Sequence, residues 1–98
     1  MRRHINVHPG ELLLEDFLKP MGITPYRLAK DTHLPPQRVN AIVNEQRGIS
    51  PETDLRFCAY FGLSPGYWLR AQLAYDLREA INTIGPKIKA TVHPLKAA

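Results

Sequence analysis

The sequence predicts an all-α fold, five helices packed as a bundle with a short C-terminal extension, and three observations carry that expectation. Five of the nine prolines head segments whose apolar residues recur at helical spacing. Thr24, Ser50 and Ser64 stand directly before three of those prolines, where capping residues belong. No run of alternating apolar and polar residues is long enough for a strand of substance, and no internal repeat or low-complexity tract interrupts the pattern. At 98 residues the chain makes one small domain with a single modest core.

Proline suits a first helical turn because its missing N–H would lack an intrahelical partner there and its φ is already helical. The first helix is predicted over 9–19, with Leu13, Leu14, Phe17 and Leu18 as its apolar stripe and Pro20 and Gly22 closing it. The second, over 25–32, buries Leu28 and Ala29, and the third, over 36–44, buries Val39, Ile42 and Val43. The fourth, over 51–61, buries Leu55, Cys58 and Ala59 and ends at Gly62. The fifth starts at Pro65, carries Leu69, Leu73, Leu77, Ile81 and Ile84 on one stripe with Trp68, Ala71 and Tyr75 on its flank, and ends at Gly85-Pro86. In the tail, residues 86–98, Ile88, Ala90 and Val92 alternate with polar residues, so a short strand and a terminal helix both fit.

Composition narrows the function classes. Thirteen Lys and Arg against nine Asp and Glu give a net charge of +4, which favours a polyanionic partner without requiring one. A lone cysteine, Cys58, excludes an internal disulfide framework and fits a reducing compartment. Charges recur too often for a membrane span, and Pro9, Gly10 and Glu11 interrupt the start before a signal-type apolar run can form, so a cytoplasmic protein is expected. His4 and His8 lie four apart, but no cysteine pair accompanies them and no metal site is predicted. No Gly-rich phosphate loop or nucleophile elbow occurs, and Ser50 and Ser64 are accounted for as caps; no enzymatic activity and no cofactor are expected.

The informative stretch is "THLPPQRVN" at 32–40. Ala29, His33, Val39 and Ile42 fall at offsets of 0, 4, 10 and 13. This is helix-turn-helix spacing: a small residue late in the first helix lets the second cross it closely, and two aliphatics lock the second helix down. Pro35 and Pro36 would then end the turn and start the recognition helix. With Val39, Ile42 and Val43 inward, Gln37, Arg38, Asn40, Ala41 and Asn44 are left on the outer face. Gln and Asn pair with adenine, Arg with guanine, and Ala meets a thymine methyl. Thr24, Arg27, Asn44 and Arg47 fall at helix ends, where they suit phosphates. The same aliphatics would serve a purely structural bundle. The exposed face argues for DNA, since Glu45 is the only acid between 36 and 47. The turn position usually carries Gly in a left-handed conformation; His33 there implies strain of about 1 kcal/mol.

Beyond this motif, "HPGELLLEDFLKPMGI", "YRLAKDTHLPPQRVNAIVNEQRGISPETDLRFCAYFG" and "SPGYWLRAQLAYDLREA" together resemble the HigA-type antitoxins of the Xre (Cro/C1-type) helix-turn-helix superfamily, over nearly the whole chain. The resemblance implies a lambda-repressor-like bundle in a toxin–antitoxin module. The antitoxin would be a homodimer that neutralises a HigB-type (RelE-like) messenger RNA ribonuclease and represses its own operon at a palindromic double-stranded DNA operator. By position, Gln37, Arg38, Asn40 and Ala41 match the base-reading set and Thr24, Arg27, Asn44 and Arg47 the backbone set, with His33 the main departure. Residues 1–85 would form the DNA-binding and dimerisation domain and 86–98 a tail sharing in the dimer interface, for which Trp68, Ala71, Tyr75, Ile88 and Val92 are the candidates. Glu11, Glu15 and Asp16 form an acidic set suited to a basic toxin, although acids in a first turn also complement the helix dipole. The alternatives are a stand-alone Xre-type repressor with no toxin and a module whose basic helix binds an acidic protein.

Overall fold

The computed structural model describes residues 5–96, and all regular structure among them is helical. One helical run is built of α1 (Pro9–Leu12), a π-helical stretch (Leu13–Leu18) and α2 (Lys19–Met21). There follow α3 (Pro25–Thr32), α4 (Pro36–Val43), α5 (Pro51–Phe61), α6 (Tyr67–Thr83) and α7 (Gly85–Thr91). The first run therefore passes through Pro20 and closes at Gly22, φ 67°, beyond the expected end at Lys19. A proline ring inside an α-helix clashes with the carbonyl four residues back. The wider π turn, in which the Lys19 N–H reaches the Leu14 carbonyl, relieves that clash just before Pro20.

The core joins Leu13 and Leu18 with Leu28, Ala29, Leu34, Val39, Ile42, Ile49, Phe57, Cys58 and Trp68. Trp68 is its hub, with ring centroids 4.9 Å from Phe17, 5.2 Å from Tyr67 and 5.7 Å from Phe57. On α5 the expected phase is wrong. Leu55 is 55% exposed and Ala59 is exposed, while Thr53, Asp54, Phe57 and Cys58 face inward. The reason is Asp54: one carboxylate oxygen accepts from the N–H groups of Trp68 (2.8 Å) and Leu69 (3.1 Å), the other from Gly66 (2.7 Å). It caps the N-terminus of α6 from a neighbouring helix, satisfying donors that a helix cannot satisfy itself. Accordingly α6 starts at Tyr67, after Gly66 at φ 98°, and not at Pro65.

The tail is helical as far as Thr91 and irregular from Val92 to Lys96. Ile84 breaks α6 and α7 continues beyond it, so Gly85-Pro86 opens a helix where an end was expected. From Asp76 to Lys96 every residue is exposed except half-buried Ala80 and Gly85. The molecule accordingly measures 56 × 28 × 21 Å, a compact body with a projecting arm.

Candidate nucleic-acid interface

The two short helices α3 and α4 meet through residues with no exposed surface, Leu28 and Ala29 on one and Val39 and Ile42 on the other. Thr24 starts α3, its Oγ1 accepting the Arg27 N–H at 3.1 Å. At the other end His33 takes the left-handed conformation, φ 59° and ψ 41°. Its N–H reaches the Lys30 carbonyl, the Leu34 N–H reaches Ala29 at 2.9 Å, and buried Leu34 pins the turn. These are the two bonds of a Schellman ending. Pro35 then holds an extended conformation and Pro36 begins α4, so the double proline sets the direction of the second helix.

The far end of α4 repeats the device. Glu45 has φ 63°, and the N–H groups of Glu45 and Gln46 return to the carbonyls of Ile42 and Ala41 at 3.0 and 2.8 Å. Sequence reasoning missed Glu45, since Glu, unlike Asn, Asp or His, carries no signal for left-handed backbone. It also missed Gly10, on which a methyl group would overlap the Ile42 carbonyl oxygen. That close approach docks the first turn of α1 against α4. His8 caps α1, its Nδ1 accepting from Gly10 N–H at 2.9 Å, and burial holds its imidazole below the usual His range while Glu45 and Asp76 pull the other way. The loop after α4 is tied to α6 through Gln72, whose Oε1 accepts from Ile49 N–H at 2.8 Å.

Gln37 and Asn40 are exposed on the outer face of α4, with Ala41 half-buried beside them. Thr24, Arg27, Asn44 and Arg47 are exposed at the ends of the two helices. Asn44 is the C-cap of α4 and lies just outside it. Arg38 differs: its side chain is 25% exposed, and Nη1 lies 3.7 Å from Glu52 of α5. Arg27 leans on Asp31, whose carboxyl is held below its usual range first by the Tyr60 hydroxyl at 2.7 Å.

The Cro/C1-type HTH DNA-binding domain family matches residues 14–66, more than half of the chain. The Pseudomonas aeruginosa antitoxin HigA, solved with the higBA promoter, superposes with a TM-score of 0.89 at 37% identity, over 93% of this chain and 99% of that one. The chain belongs to the HigA-type Xre helix-turn-helix proteins. Antitoxin HigA-1 of Vibrio cholerae is 35% identical over 81 residues, 83% of this chain and 74% of the relative. Virulence-associated protein I of Dichelobacter nodosus is 53% identical over 74 residues, 76% and 68% of the two chains.

Within this HigA-type fold two other expected sets are rearranged. Glu11 is buried, at 8% exposure, so it is not part of an accessible acidic face; Glu15 pairs with Lys19 at 2.7 Å and Asp16 is exposed. Trp68 has no exposed surface and cannot meet a partner subunit, because the core needs the ring. Ala71 and Tyr75 are half-buried, Tyr75 edge-on to His8 at 4.9 Å, whereas Ile88 and Val92 are exposed. Of the two N-terminal histidines, His8 is committed to its cap, and His4 lies outside the described residues. No helix among the described residues is long and apolar enough to cross a membrane.

Proposed function

We propose that this HigA-type chain is a homodimeric antitoxin that represses its own operon at a palindromic operator and neutralises a RelE-like ribonuclease toxin. The observation that carries it is the two-sided recognition helix: an underside of Val39 and Ile42 with no exposure, and an outer face presenting Gln37 and Asn40 to solvent. Gln37, Arg38, Asn40 and Ala41 read base edges, and Thr24, Arg27, Asn44 and Arg47 hold phosphates. The P. aeruginosa HigA structure with its promoter supports a DNA target.

A palindrome requires a two-fold protein with recognition helices about 34 Å apart. The surface for the second copy is the exposed apolar set Leu73, Leu77, Ile81, Ile84, Ile88 and Val92, spread along α6, the break at Ile84 and α7 with its C-cap. An apolar set of this extent on a single protomer calls for a cover. The role of the acids in toxin binding narrows to Asp16 and Glu15. That narrowing favours the stand-alone repressor as the second reading.

Co-expression with the small open reading frame beside the gene tests the toxin role. Rescue from growth arrest with a co-purifying complex supports the antitoxin. Operator binding without toxicity or complex leaves the stand-alone repressor, and equal, salt-dependent binding to all DNA would sink both.

A further inference from the structure

Arg38 is held unlike the other proposed base readers. Its Nε is buried and has no hydrogen-bond partner among the described residues, so the inner edge of the guanidinium faces protein. What remains for a ligand is the outer edge, Nη1 with Nη2. Nη1 lies 3.7 Å from one oxygen of Glu52. The second oxygen of Glu52 receives Arg56 Nε at 3.1 Å and Nη2 at 3.0 Å, and Arg56 Nη1 in turn donates to the Thr32 carbonyl at 3.0 Å. The Glu52 carboxylate is thereby anchored to the last residue of α3, and its remaining oxygen is aimed at the first turn of α4.

We propose that Glu52 is the positioning residue for Arg38, fixing the direction in which its guanidinium reads a guanine, so that operator specificity depends on a residue outside the two helices of the motif. This rests on the reading that Arg38 contacts a base. Nη1 carries two hydrogens: one faces Glu52, and the other, with Nη2, forms the two-donor edge that matches guanine O6 and N7. The carboxylate also offsets part of the arginine charge, which lowers its attraction for phosphate in general and leaves geometry to discriminate.

The test measures binding to the duplex this chain selects from a random pool and to a scrambled duplex of equal length, for Glu52→Gln, Arg38→Ala and the double variant, with thermal melts as the folding control. Glu52→Gln is expected to weaken binding to the selected duplex about tenfold while leaving the scrambled one unchanged or tighter. In the Arg38→Ala background the same change should have no further effect on the selected duplex. An equal change on both duplexes, or an undiminished effect without Arg38, overturns the positioning role. Arg38→Ala weakening both duplexes alike would overturn base reading itself and the positioning role with it; a selective Arg38→Ala effect without coupling overturns the positioning role alone.

Discussion

Replacing Gly10 by alanine sets two effects of opposite sign against each other. Gly10 lies inside α1, where alanine is favoured by about 1 kcal/mol on propensity alone. Against this, the added methyl would overlap the Ile42 carbonyl oxygen and stand 2.8 Å from its carbon, where carbon–carbon contact is comfortable only from about 3.5 Å. The obstacle is backbone of α4 and cannot rotate aside. Either α1 moves off α4 by more than an ångström, at an overpacking cost of about 1–3 kcal/mol, or the first turn is pushed away from its cap. The methyl also lies 3.1 Å from His8 Nδ1, the acceptor of that cap, whose loss costs about 1 kcal/mol. Clash and lost cap together outweigh the propensity, and a net loss of about 1–3 kcal/mol corresponds to a fall in Tm of roughly 4–24 °C for a domain of this size. Gly22→Ala is the control. Nothing lies within 4 Å of its added methyl, and only φ 67° penalises it, by about 1 kcal/mol. Circular dichroism melts at one protein concentration would check this. A Gly10→Ala melt no lower than that of Gly22→Ala would refute the argument that α1 is seated on the α4 backbone.

Asp54→Ala strands three N–H groups at the start of α6 and should cost about 3 kcal/mol or more, read as a lower urea midpoint; an unchanged midpoint would show that the cap is replaceable. His33→Gly relieves about 1 kcal/mol of left-handed strain but adds unfolded-chain entropy, so a net gain of roughly 0.5 kcal/mol is expected, and a lower Tm would mean that the exposed imidazole contributes contacts. His8 titrates below 6.5 in the fold because it is buried, so between its folded and unfolded pKa the unfolded chain binds the extra proton. Its contribution is complete above about pH 6.5 and is lost as pH falls through the lowered folded value. His8→Asn, which keeps an acceptor, should flatten this acid limb, and parallel pH profiles for the two proteins would count against it.

What the sequence disclosed and what it hid divide along a physical line. The bounds of α3 and α5 were legible to the residue because proline at the first turn and Thr24 or Ser50 before it are local signals. The turn at His33 was legible from spacing, and so was the sidedness of α4. The misread features all depend on a distant partner. Leu55 is the hydrophobic choice for an inward position, yet Asp54 takes the core phase because α6 needs acceptors. Trp68 looked like a flank residue of a long helix until Phe17, Phe57 and Tyr67 closed around it. Glu11 read as one of three surface acids, but the packing of α1 turns it inward. In the candidate site, the outward residues were found and the carboxylate beside Arg38 was not, since Glu52, itself paired with Arg56, reaches it from another helix.

The construction of α4 bears on how such a protein changes over time. Its ends are fixed by left-handed residues at 33 and 45, its underside by Val39 and Ile42, and its seat by Gly10. Gln37, Asn40 and Asn44 contribute little to any of these, so substitutions there alter the outward surface at small cost in stability. New DNA preferences can therefore be explored in single steps by a chain that remains folded throughout. Position 38 is the exception: a new residue there inherits a carboxylate placed for a guanidinium, and drift at that position should proceed in pairs with 52.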